Sequence, residues 1–109
     1  MAFKCGFIIM APDADPAKDR AAIKTPKLEL TVVVTPSGDM PRIIGVCQEL
    51  VRDAGVQDIT LCPGFTHGMV ARVKEAVGDK VSVCVARGDG PSGKITGEVL
   101  AREWWGGGH

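Results

Sequence analysis

A chain of 109 residues has room for one core and not for a second. With 45% apolar and 24% charged residues, its composition excludes disorder of the low-hydropathy kind. Thirteen Lys and Arg balance thirteen Asp and Glu. That neutrality, without any basic stripe, removes the long-range attraction expected of a partner for nucleic acid or an anionic membrane.

The first apolar run, Phe3 to Ala11, reads as a strand. A single lysine precedes it and no small-residue cleavage site follows, so it is not read as a secretory signal. Asp15 followed by Pro16 is an N-cap with a first-turn proline, which predicts a short helix to about Lys24, stopped by Pro26. Leu28 to Thr35 is the second strand, and its Val32-Val33-Val34 core is apolar on both faces. Asp39 and Pro41 open the second predicted helix. Ile43, Cys47, Leu50, Val51 and Ala54 form one stripe along it, and Gly55 is its left-handed cap.

Asp58 to Cys62 is the third strand. The next helix carries Met69, Val70, Val73, Ala76 and Val77 on one side and closes at Gly78. Val81 to Ala86 is the fourth strand. A last helix is predicted from about Thr96 to Trp104, with Gly97 opposing it.

This alternation predicts an α/β fold: a small, open, mostly parallel four-stranded sheet with helices on both faces, built from flavodoxin- or Rossmann-like βα repeats in the order 2-1-3-4. The architectural alternative is a half-barrel-like set of βα units completed by dimerisation. Residues 1–105 form the single domain. Residues 106–109, ending in His109, are a glycine-rich tail with no assigned role.

The four cysteines, Cys5, Cys47, Cys62 and Cys84, form no C-x-x-C pair. Three lie in apolar runs, as small buried hydrophobes do. No apolar stretch approaches the roughly 20 residues of a membrane span. Reduced thiols in a cytoplasm are the expectation.

In a parallel sheet, ligands bind at the rim made by the strand carboxyl ends. The richest loop on that rim runs from Cys62 to Gly68. A helix N-terminus lowers a thiol pKa and an adjacent imidazole acts as its base, so Cys62 and His67 are the candidate catalytic pair. Gly64 allows close backbone approach, Phe65 supplies a wall, and Thr66 caps the helix or donates to an anion. The plain alternative is a packed core thiol and a solvated histidine.

The fourth loop, Arg87 to Lys94, nearly matches G-x-x-x-x-G-K-[ST]. Ile95 replaces the hydroxyl that would bind magnesium, so a P-loop NTPase is rejected. An anion cradle with Arg87, Ser92 and Lys94 stands beside a plain surface loop. Asp13 joins the candidate ligand-binding residues, with helix capping as its alternative reading. Two histidines without clustered carboxylates indicate neither a metal site nor a cofactor. Trp104 and Trp105 are expected at a contact between copies in a homo-oligomer.

The stretch Ala54 to Phe65, then Gly68 and Val70 to Gly78, resembles a small uncharacterised bacterial domain family of about this length. In that family an apolar strand ends in Leu-Cys-Gly-Gly-Phe before a helix; here Pro63 takes the place of the first glycine. The Phe7-Ile8-Ile9 strand and the Asp13 to Pro16 turn are also similar. The resemblance covers most of the chain and implies no activity. The functional expectation is a small oligomeric cytosolic protein that binds an anionic small metabolite at the rim, as a Cys/His-dependent enzyme or as a non-catalytic regulatory or protein-interaction subunit.

Overall fold

The computed structural model describes residues 1–105; the tail at 106–109 lies outside the described residues. Five strands form one open sheet: β1 (Phe3–Ala11), β2 (Arg20–Lys24), β3 (Leu28–Pro36), β4 (Asp58–Leu61) and β5 (Ser82–Val85). Three helices accompany them: α1 (Met40–Asp53), α2 (His67–Val77) and α3 (Gly90–Glu103). The order across the sheet is β2-β3-β1-β4-β5. The β1, β3, β4 and β5 pairings are parallel, and β2 runs antiparallel to β3 at the edge. The fold is therefore mixed α/β on a largely parallel sheet. Its parallel strands stand in the 2-1-3-4 order expected of the four sequence segments.

The first predicted helix is not formed, and a fifth strand replaces it. Asp15 does initiate a turn: its Oδ1 accepts from Ala17 N, its carbonyl accepts from Lys18 and Asp19, and its own N donates to Asp19 Oδ2 at 2.7 Å. The capping signal was real, but it operates for one turn only. Residues 20 to 24 instead pair with β3, where Ala21 meets Val32 and Ile23 meets Leu30. Arg20 fixes the switch. Its Nε donates to Pro16 O, and its Nη1 and Nη2 grip Glu49 of α1 at 2.7 and 3.3 Å. A tertiary anchor of this kind overrides a weak helical preference.

The other two helix starts follow their capping residues. Asp39 Oδ1 accepts from Arg42 N, and Thr66 Oγ1 accepts from Met69 N. Gly55 follows α1 at φ +67°, a conformation that favours glycine. A second departure is α3. It begins at Gly90, six residues before the predicted start, because Pro91 is favourable in a first turn and Gly93 N reaches Asp89 O at 2.8 Å.

The strands alternate between two unlike faces. On the inner face Ile8, Val33, Ile59 and Leu61 are fully buried against Ile43, Cys47 and Leu50 of α1 and Val73 of α2. Gly6 belongs to this face: a Cβ there would sit 3.2 Å from the Leu50 methyl, so glycine lets α1 settle close to β1. The expected cover on both faces is not found, because α1 and α2 pack together on the same side and α3 buries no residue. No helix of the described residues is long and apolar enough to cross a membrane.

Candidate functional site

The parallel strands deliver their carboxyl ends to one rim. From β3 the chain crosses over β1 to reach β4. β1 and β4 are thus neighbours whose onward connections leave in opposite directions, and a crevice forms where this happens. A cavity of about 490 Å³ lies there. Its floor is Ile9 and Met10 from β1, Ser37 and Gly38 after β3, and Cys62, Pro63 and Gly64 after β4. Met69 of α2 adds a flexible thioether. Thr96, Leu100, Trp104 and Trp105, from α3 and its end, form the opposite wall. The two indole rings stand edge to face, with centroids 5.8 Å apart and planes at 88°.

The lining is apolar, with few polar groups. Gly38 N donates to Met10 Sδ at 3.4 Å, and Thr96 Oγ1 donates to Ser92 O within α3. Ser37 Oγ has no hydrogen-bond partner among the described residues. Gly64 matters sterically: a Cβ there would lie 3.1 Å from the Met10 methyl and 3.7 Å from Cys62 Sγ.

The structure places each expected site residue. Cys62 is buried and lines the cavity, while Gly64 stands beside it. Phe65 turns away from the cavity into the core, fully buried, so it anchors the turn. Thr66 caps α2. His67 is exposed at the first position of α2, with Nδ1 3.4 Å from Arg87 Nη2. Among the described residues no hydrogen bond joins Cys62 to His67. The two share a loop and face different surroundings.

Arg87 does reach this turn. Its Nη1 donates to Phe65 O at 2.8 Å and to Pro63 O at 3.2 Å. The guanidinium therefore straps the end of β5 to the turn after β4. Ser92 and Lys94 are not in a loop: both are exposed near the start of α3, outside the cavity lining. Asp13 is exposed in the turn after β1, with no hydrogen bond or ion pair among the described residues. The expected anion cradle is thus not gathered around one point.

Sequence reasoning missed Met10, Met69 and Leu100 as wall residues, and Ser37 as a polar group at the rim. Ser37 and Gly38 directly follow the carboxyl end of the Leu28 to Thr35 strand, which was the available signal. The methionines read as ordinary core residues, though soft thioethers commonly line adaptable pockets.

The remaining cysteines are free, as is Cys62. Burial pushes the Cys47 thiol up to about 12. Cys5 is also raised, first by desolvation and then by the Asp58 carboxylate on the neighbouring strand. Among the described residues no cluster of three or more His, Cys, Asp or Glu is arranged to hold a metal ion.

Residues 3–100 match the model of DUF6506, a family of unknown function. The chain belongs to this family. The matched residues of this DUF6506 chain include the whole cavity floor and the α3 wall as far as Leu100; Trp104 and Trp105 lie beyond the matched span. No curated protein and no solved structure matches the chain.

Proposed function

We propose that this protein is a small-molecule binding protein whose ligand sits between the sheet rim and α3, and that the ligand has an apolar, ring-sized body. The observation that carries this reading is the cavity lining. Methionine, leucine, isoleucine and two tryptophans surround about 490 Å³, within the usual range for small-molecule pockets. Ser37 in the floor supplies a polar group for one hydroxyl or carbonyl of the ligand.

The cavity lies at the rim that the strand pattern predicts, and its lining favours an apolar ligand over an anionic one. An anionic metabolite finds few anchors here. Arg87 is committed to two carbonyls, while Ser92 and Lys94 lie outside the lining. Binding alone accounts for the residues. A catalytic role for Cys62 and His67 would require a motion that brings the thiol to the imidazole.

The two tryptophans are the only ones in the chain and there is no tyrosine. Indole emission therefore reports on the cavity wall. Titration with an alkylphenol is expected to change that emission saturably. Leu100→Asp, which places a charge in the apolar wall, is expected to abolish the response. Inorganic phosphate is expected to leave the emission unchanged. An unresponsive wild type, or equal saturation in Leu100→Asp, would overturn the proposal.

A further inference from the structure

We infer that the face of the sheet opposite α1 and α2 is covered by a second copy of this chain. The register brings five residues of β1 to that face, five of β3, and two each of β2, β4 and β5. The β2-β3-β1 side is apolar, carrying Ile23, Leu30, Val32, Phe3, Phe7 and Ile9. Phe3, Ile9 and Ile23 are 50%, 40% and 59% exposed. Asp58 is the one charged residue in the set, and it lies on the more polar β4-β5 side with its carboxylate already accepting from Thr60 and Cys84. Parallel sheets are normally covered on both faces, and a patch of this kind on a soluble chain marks an interaction surface.

The occupant follows from symmetry and size. An apolar half without charge is self-complementary, as a two-fold interface requires, because each copy presents the same patch to the other. With the axis through β1 and β3, apolar meets apolar and both Asp58 carboxylates fall toward the edge. The sheet residues alone are about two thirds of the roughly 20 to 30 per side found in a stable interface. α3 supplies the remainder. It is 14 residues long and buries none of them, while Ile95 and Val99 remain 64% and 38% exposed. Gly90, Gly93 and Gly97 weaken it further, so a helix this short needs a packing partner. Ile9 belongs both to the open face and to the cavity lined by α3, so the two surfaces adjoin.

Sedimentation equilibrium of the full chain at micromolar concentration tests this. The expected mass is twice the 11.5 kDa of one chain. Val32→Lys is expected to weaken association at least about tenfold, a loss of about 1.4 kcal/mol, with unchanged far-ultraviolet dichroism. Ile23→Lys makes the same test on the exposed edge strand and serves if Val32→Lys does not fold. Cys5, which lies on the covered face, is expected to alkylate faster in the dissociated variant. A monomeric wild type, or a dimer that both folded variants leave intact, would overturn the inference.

Discussion

The Arg87 guanidinium donates to the Phe65 carbonyl oxygen at 2.8 Å, and the Phe65 ring is fully buried in the core. The turn after β4 is thus held twice, by an aromatic anchor in the core and by an arginine strap on its carbonyl groups. Removing the ring leaves a core cavity, so Phe65→Ala is expected to cost about 3–5 kcal/mol in urea unfolding. Arg87→Ala removes hydrogen bonds on an exposed side chain and is expected to cost about 1 kcal/mol. Arg87→Lys is expected to recover little of it, since an ammonium does not reproduce the planar fork that spans Pro63 O and Phe65 O. Full recovery by lysine would show that charge, not geometry, holds the turn.

Arg20 ties the β2 strand to α1 through a two-pronged contact with Glu49. Both side chains are partly exposed, at 27% and 37%, so screening limits the pair. Arg20→Ala also removes the bond to Pro16 O. A loss of about 1–2 kcal/mol is expected, with a coupling to Glu49→Gln of about 0.5–1 kcal/mol in a double-mutant cycle. A vanishing coupling would mean that the Pro16 contact alone positions β2.

The parallel strands were legible because their residues say so locally. Val32-Val33-Val34 is apolar on both sides, and Asp39 and Thr66 cap the helices they precede. β2 was not legible, because Asp15-Pro16 is a true local start signal and the strand depends on pairings with β3 and on Glu49, which is distant in sequence. The rim was legible from the βα alternation. The contents of the site were less so. Proximity in sequence placed Cys62, His67 and Arg87 together but gave no side-chain directions. The structure turns Arg87 onto carbonyl groups and sets His67 beside Arg87, with no hydrogen bond to the thiol among the described residues. The unlike faces of the sheet were hidden for a related reason: half-buried apolar residues look the same in sequence whichever neighbour covers them.

Gly64 is expected to set the depth of the cavity. A methyl group there meets the flexible end of Met10 at 3.1 Å, which can move aside. Gly64→Ala should therefore change stability by less than about 1 kcal/mol. Gly64→Leu should fill the space between Met10 and Cys62. In the alkylphenol titration the expected order of affinity is wild type, then alanine, then leucine, with melting temperatures measured alongside. Equal affinities in all three would place the ligand away from this floor.

Cys47 is expected to limit stability at alkaline pH. It is fully buried on α1, and its pKa rises from 9.0 to about 12 through desolvation of the thiolate. Between these values the unfolded chain has released the thiol proton and the folded chain has kept it. The unfolded state then binds fewer protons, so unfolding free energy falls as pH rises. The contribution is intact below about pH 9 and is lost toward about pH 12, with a slope of about 1.4 kcal/mol per pH unit. Lysines also titrate in this window, which makes the difference between wild type and Cys47→Ala the informative quantity. The alanine variant is expected to be about 1 kcal/mol less stable at pH 7, from a small cavity. It is also expected to lose stability less steeply between pH 9 and 11, so that the two urea-unfolding curves converge or cross. Parallel pH dependences in the two proteins would mean that the buried thiol ionises as readily in the folded chain as in the unfolded one.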